Sequence, residues 1–354
     1  MSRNSEYRQC GASGLSLSVI GLGCWAFGGG QYWGNQDQKD VNEVVHAAVD
    51  LGINYFDTAE AYNEGRSESS LGIALQGLER EKIVVGTKIT PANCYPDLLE
   101  KHCDESLRRL QTDYIDLYML HWPIHPHSIR HFTDDPAVIA NPPDVERAFE
   151  ILLKLKESGK IRHVGVSNFS CGRMKSDIPS SVDIVANQLP YNLLCRAIEF
   201  DAMPWCKENG IGIIGYMTLL QGLLAGIYPS FADVPEWQRR TRHFSAVRTP
   251  LCRHGENGFE AETEAAIDEI KRIADESGLS MAAISTKWAV ANPNISCALV
   301  GARNIEELKS NVQSVQTPLD PLLVERLNSV TDRLKQQMGN HFDYYESAAN
   351  DRTL

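Results

Sequence analysis

Residues 83–88 read IVVGTK and residues 211–216 read IGIIGY. Both are nearly continuous apolar runs, with no alternation between an inner and an outer face. Strands that read this way are covered on both sides, as in a parallel sheet wrapped by helices. Outward from these two runs the chain alternates strand and helix. Strands are expected near 18–23, 54–57, 83–87, 113–120, 162–167, 182–187, 211–216 and 296–300. Helical patterns lie between them, among them DVNEVVHAAVDLG (40–52) and DLLEKHCDESLRRLQ (97–111). In the first, Val41, Val44, Val45, Ala48 and Val49 recur at helical spacing, and Gly52 closes the helix as a C-terminal cap. Eight strand–helix units predict an α/β fold of the closed (β/α)8 TIM-barrel type. A doubly wound open sheet is the alternative, and its fingerprint would be G-x-G-x-x-G after the first strand. The stretch GLGCWAFGGG (21–30) supplies Gly21 and Gly23 but Ala26 at the last position.

The start, YRQCGASGLSLSVIGLG (7–23), predicts two short strands around a Gly/Ser turn, then a third strand. The expected organisation is one domain over 1–354: a hairpin at about 7–17, the barrel at about 18–315, and a C-terminal helix and tail over 316–354. Two connections are too long to be plain turns. One runs from Trp122 to about Asp144, the other from Met217 to about Phe259. Both follow strands, so a barrel places them on its catalytic face.

The 354 residues are 43% hydrophobic and 23% charged, ordinary globular values. The net charge of −12 disfavours DNA, RNA and anionic membranes as partners. It also repels highly anionic substrates unless a local basic pocket offsets it. Nine cysteines are scattered singly, with no C-x-x-C pair and no metal-ligand spacing. The H-x-H at His125 and His127 has no evident third ligand, so no metal site is expected. Reduced thiols, the polar start MSRNSEYRQC and the lack of an 18-residue apolar run point to a cytoplasmic protein without a membrane span.

A barrel builds its active site at the C-terminal ends of its strands. The polar residues expected there are Asp57 with Tyr62 just beyond it, Lys88, and His121. Each alone reads as a cap, a surface charge or a packed ring. Together they suit carbonyl reduction. A hydride arriving at a carbonyl carbon leaves charge on oxygen, which needs a proton donor. A phenol keeps its proton at neutral pH. A lysine beside it favours the phenolate and is expected to lower its pKa. An aspartate fixes the lysine, and a histidine orients the substrate oxygen.

GINYFDTAEAYNEG (52–65), GTK (86–88), DYIDLYMLHWP (113–123), GKIRHVGVSNFS (159–170), NQLPYNLL (187–194) and GARNIEELKSN (301–311) appear in this order along the chain. In these motifs the sequence resembles the aldo-keto reductase superfamily. The resemblance implies a (β/α)8 barrel that binds NADPH or NADH without a dinucleotide-binding fold. It makes Asp57, Tyr62, Lys88 and His121 the catalytic tetrad, with Tyr62 the acid/base. Ser167, Asn168 and Gln188 would hold the nicotinamide amide, Tyr216 would stack on its ring, and the backbone at Gly23, Cys24 and Trp25 would line the ribose side. The family usually shows Ser-Pro-Leu after the aromatic residue. Here the residues are Met217, Thr218 and Leu219, which leaves the pyrophosphate contacts of that turn open, while Gln221, Gly222 and Leu223 still match.

Arg239, Arg240, Arg242, Arg248 and Arg253 make the following loop either a solvated basic loop or a strap over cofactor phosphates. After the last strand, Gly301 leads into a helix start, a natural anion site. Arg303 there is placed to pair with a 2′-phosphate and Asn311 to face the adenine. Glu307 stands where relatives carry Gln and would accept from a free 2′-hydroxyl, so NADPH is expected and NADH stays open.

Trp25, Trp33 and Trp122, with Tyr62 and His121, are expected to form the substrate pocket. His125, His127, Arg130 and His131 offer polar contacts. Aromatic faces with polar rims suit a sugar or hydroxy-aldehyde, and aryl aldehydes are the alternative. Two rival functions remain open at this point. One is a cofactor-binding, redox-sensing subunit of a membrane channel, which needs a partner-binding arm that this chain, starting just before the hairpin, is not expected to have. The other is a sugar-phosphate isomerase or aldolase.

Overall fold

The computed structural model describes residues 6–354; the first five residues of the polar N-terminal stretch lie outside it. Strands β1 (Tyr7–Gln9) and β2 (Ser16–Ser18) pair antiparallel, Arg8 opposite Leu17. Eight parallel strands then close a barrel: β3 (Ile20–Gly23), β4 (Tyr55–Asp57), β5 (Val84–Ile89), β6 (Ile115–Leu120), β7 (Ile161–Ser167), β8 (Ile184–Pro190), β9 (Gly212–Tyr216) and β10 (Ile295–Gly301). Each pairs with its sequence neighbour, and β10 returns to β3 with Ala298 opposite Ile20. The open-sheet alternative is thereby set aside.

The lumen is filled by Tyr55, Leu117, Met119, Val185, Ile214, Cys297 and Leu299, and the hairpin closes its lower mouth with Cys10, Leu15 and Leu17. Helices cover the outside. Gln38–Asp50 buries Val41, Val44, Val45 and Ala48, starts on an Asp37 cap and ends at Gly52, whose φ of +88° only glycine adopts freely. Pro96–Leu110 is the second expected helix, and Leu99, Cys103 and Leu110 are its apolar stripe.

Both long connections leave the C-terminal ends of their strands. The first, after β6, contains two short helices, Pro126–Ile129 and Pro136–Ala140. The second, after β9, is a series of 3-10 turns. The chain ends in a helix, Pro321–Met338, that packs on Glu260–Ser277, followed by a segment that folds back toward the upper rim. That segment is not a loose polar end: Phe342, Asp343, Tyr344, Asp351, Arg352 and Thr353 are all buried.

Candidate active site

Register brings the first group together. Asp57 on β4 pairs with Gly86 on β5, and Lys88, two residues further along β5, pairs with Met119 on β6. Side chains two apart on a strand share a face, so Lys88 enters the lumen just above Gly86. Its side chain is fully buried, and its ammonium donates to Asp57 Oδ1 at 2.9 Å, Oδ2 at 2.8 Å and the Thr58 carbonyl at 2.7 Å. The Tyr62 hydroxyl lies 3.4 Å away. Tyr62 reaches this position because the turn after β4 is tight: Asn63 and Glu64 adopt left-handed conformations, φ +51° and +59°. The Asn63 amide fastens the turn by donating to the carbonyls of Trp25 and Phe27. His121 follows β6 directly, its ring edge-on to that of Tyr62 with centroids 5.6 Å apart. The four residues expected at the rim are thus brought together.

Electrostatics within the group differ from the simple expectation in one respect. Burial, then the Asp57 carboxylate, pushes the Tyr62 hydroxyl well above the usual phenol range instead of lowering it. The lysine is engaged bidentately by Asp57, so its charge is largely compensated before it reaches the phenol. Burial also pulls the Lys88 ammonium below the ordinary lysine range, while Asp57 opposes that shift. His121 is pushed well below the usual imidazole range by burial and by Lys88, and is therefore neutral near pH 7.

A second arc of the rim runs from β7 to β10 and carries the amides. Gln188 donates to Asp57 Oδ1 at 2.7 Å. Ser167 donates to the Gln188 carbonyl, and the Asn168 amide donates to Ser167 Oγ and to the His121 carbonyl. The Tyr216 hydroxyl donates to Asn168 Oδ1 at 2.7 Å, at the end of β9. Left-handed backbone concentrates here: Asn168, Met217, Leu220 and Gln221 have φ of +65°, +60°, +43° and +54°. Such strain at non-glycine residues clusters at ligand sites. Thr218 pins the turn to β10 by donating to the Leu299 carbonyl. Gly23 and Cys24 lie opposite Gly301 and Asp57 at the top of β3.

Beyond Gly301, helix Ile305–Ser314 begins on an Asn304 cap. Glu307 is taken up by that cap, accepting from the Arg303 backbone N–H and the Asn304 amide. The Arg303 guanidinium reaches instead toward the loop after β3, donating to Gln36 Oε1 at 2.9 Å and the Asn35 carbonyl at 2.7 Å. Asn311 donates to the Gly301 carbonyl.

Aromatic rings wall one side of the mouth. Trp25 stacks on Tyr32 at 4.9 Å, meets Trp33 edge-on at 5.3 Å and lies 5.8 Å from Tyr62. Trp237, from the loop after β9, meets Tyr32 at 6.0 Å. Tyr32 and Trp237 were not foreseen; the first hid beside Trp33 and the second in a charged stretch. Trp122 is buried under the C-terminal segment, the Arg352 guanidinium 4.0 Å above its ring.

Most arginines of the arginine-rich loop are engaged within the protein. Arg242 pairs with Glu256 at 2.9 Å, Arg248 with Glu260 at 2.6 Å and Arg253 with Glu346 at 2.5 Å, while Arg239 donates to the carbonyls of Ala232 and Val234. These bonds bind the loop to itself, to a helix and to the C-terminal segment. Arg352 pairs with Asp343 through two nitrogens at 2.7 and 2.8 Å, and Tyr345 receives a hydrogen bond from Gln221. The Tyr32 hydroxyl donates to the same glutamine. His125 and His127 meet edge-on, and among the described residues no cluster of three metal-ligating side chains exists. No described helix is long and apolar enough to cross a membrane.

The pattern that defines the Aldo/keto reductase family matches residues 19–332. The chain belongs to this family. With it comes the class of the protein, an oxidoreductase. The aldo-keto reductase YhdN of Bacillus subtilis is 32% identical over 86% of this chain and 87% of its own. The NADH-specific methylglyoxal reductase of Escherichia coli is 35% identical over 61% and 68%. A putative voltage-gated potassium channel subunit beta of Schizosaccharomyces pombe is 30% identical over 94% of each chain. Among solved structures, the glycerol dehydrogenase AKR11B4 of Gluconobacter oxydans superposes with a TM-score of 0.72 at 27% identity, covering 94% of this aldo-keto reductase and 96% of that chain.

Proposed function

We propose that this aldo-keto reductase reduces an aldehyde or ketone with a nicotinamide cofactor, Tyr62 giving the proton to the carbonyl oxygen. The observation that carries this reading is the buried Lys88 ammonium, held between the Asp57 carboxylate and the Tyr62 hydroxyl. The β7–β10 arc suits such a cofactor in its donor set: short amides and a hydroxyl at Ser167, Asn168 and Gln188, an aromatic ring at Tyr216, strained backbone at Leu220 and Gln221, and a capped helix start beside Arg303. Bound there, a reduced nicotinamide supplies the hydride. Asp57 keeps Lys88 charged and fixed. His121, neutral, offers a ring N–H to the carbonyl oxygen and orients it. Tyr62 passes its proton to that oxygen, and Lys88 stabilises the phenolate that forms.

NADPH is the cofactor we favour, because Glu307 is occupied in the helix cap and Arg303 is the cation at that end of the arc; the NADH-specific relative supports NADH as the second choice. The aromatic wall with hydroxyl and amide edges suits a hydroxy-aldehyde or sugar. A second reading, a cofactor-binding channel subunit, has the fission-yeast relative in its favour. An NADPH-oxidation screen over short hydroxy-aldehydes, sugars and aryl aldehydes separates the two. Turnover with hydroxy-aldehydes is expected. Tight cofactor binding without turnover of any carbonyl would overturn the enzyme reading.

A further inference from the structure

Arg240 stands apart from its neighbours. The other arginines of the loop are committed to carboxylates or backbone carbonyls, as described above. Arg240 has no carboxylate oxygen within 4.0 Å among the described residues, and its Nε donates only to the Trp237 carbonyl, at 2.7 Å. Its guanidinium sits among three rings, 5.2 Å from the centroid of Tyr32, 5.5 Å from Trp237 and 5.6 Å from Tyr345. The Tyr32 hydroxyl also meets the guanidinium, but among the described residues no carboxylate engages the fork that grips phosphate or carboxylate. Tyr32 links this cation to the chemistry. It stacks on Trp25, and Trp25 lies against Tyr62. A continuous wall of rings therefore leads from the proton donor to an uncompensated positive charge, in a chain whose net charge is −12. An anion is repelled by the chain's net charge, and a cation without a carboxylate partner at the mouth opposes that repulsion locally.

We propose that Arg240 recognises the anionic end of the substrate, so that this reductase prefers aldehydes or ketones that carry a phosphate or carboxylate away from the carbonyl. The inference rests on the carbonyl-reductase reading above. An oxyanion at this position has two possible sources, the substrate or the cofactor's diphosphate. Tyr32 and Tyr345 also meet Gln221 of the amide arc, so Arg240 borders both sites; the continuation of the rings through Trp25 to Tyr62 is what favours the substrate.

The test compares KM for D-glyceraldehyde with glyceraldehyde 3-phosphate, and for D-ribose with ribose 5-phosphate, in the wild type, R240Q and R240K. NADPH affinity is measured in each by quenching of tryptophan fluorescence. In the wild type the phosphorylated member of at least one pair should have a KM tenfold or more lower, an advantage that shrinks as salt rises. R240Q should bring the ratio close to one, and R240K should retain part of it, which excludes simple misfolding of the loop. A wild type that reduces the neutral aldehydes with no preference for phosphate overturns this inference alone. R240Q that keeps the ratio while losing NADPH affinity assigns the guanidinium to the cofactor and also overturns it. A wild type that reduces no member of either pair but turns over other carbonyls of the screen above also overturns this inference, whereas one that turns over no carbonyl refutes the reading on which it rests.

Discussion

Asp57 shows how much one side chain organises here. Its Oδ1 accepts from Lys88, Gln188 and Tyr55, and its Oδ2 from Lys88 again. Around it the phenol and the imidazole are both held neutral, and a pH dependence follows. The donor form of Tyr62 is the protonated one, and its pKa lies above the ordinary phenol value of about 10. His121 lies below the ordinary imidazole value of about 6.5, so it gains a proton only in acid. The chemical step of reduction should therefore be flat from about pH 7 to 9. A tenfold fall across that window in single-turnover reduction would contradict the assignment. At the far end of the amide arc, Arg303→Ala should weaken NADPH binding by about 1.5–3 kcal/mol, the worth of a charge-assisted pair, and NADH binding little. Fluorescence titration of both cofactors decides this, and equal losses would remove Arg303 as the discriminating residue. These residues were legible in the sequence because each lies at the end of an apolar run. Whether Glu307 faced cofactor or cap was not legible, since Asn304 and Glu307 serve either purpose from the same spacing.

At the scale of elements, the strand runs identified the barrel because burial on both faces leaves no alternation. Their ends moved by up to three residues, as β8 shows: it continues to Pro190, past the expected 187. Glycines in the strands carry information that pattern reading did not extract. A Cβ on Gly86 would lie 2.3 Å from the Tyr55 hydroxyl, and one on Gly21 would lie 2.8 Å from the Tyr55 ring. These glycines make room in the lumen for a tyrosine whose hydroxyl supports Asp57. Gly86→Ala should therefore cost about 1–3 kcal/mol by overpacking. It should also lower activity through the displaced Asp57. Urea unfolding and steady-state reduction measure the two effects, and a variant with wild-type stability and rate would show that the lumen has slack.

At the scale of the whole molecule, the C-terminal segment is the part the sequence concealed. Glu346, Tyr345 and Arg352 meet partners about a hundred or more residues away, at Arg253, Gln221 and Trp122. A polar stretch without periodicity gives no sign of such contacts. For the same reason the arginines after β9 read as a solvated basic loop or a strap, with no sign that Arg242, Arg248 and Arg253 have carboxylates in the loop itself, the following helix and the tail. Arg352→Met leaves the Asp343 carboxylate buried and unpaired, a loss of about 3 kcal/mol or more. A clear drop in the urea midpoint is expected; an unchanged midpoint would mean that the segment is anchored by its apolar residues alone.

The central proposal is that Tyr62 is the proton donor, and Tyr62→Phe tests it most directly. The substitution removes one oxygen and leaves the ring against Trp25 and His121. Reduction of a hydroxy-aldehyde by the variant, followed as NADPH oxidation under saturating cofactor, should fall by a factor of about 10²–10⁴. NADPH affinity, read from tryptophan quenching in the same samples, should stay within about twofold, less than 0.5 kcal/mol. A Tyr62→Phe protein that binds NADPH normally and keeps more than half of the wild-type kcat would contradict the account.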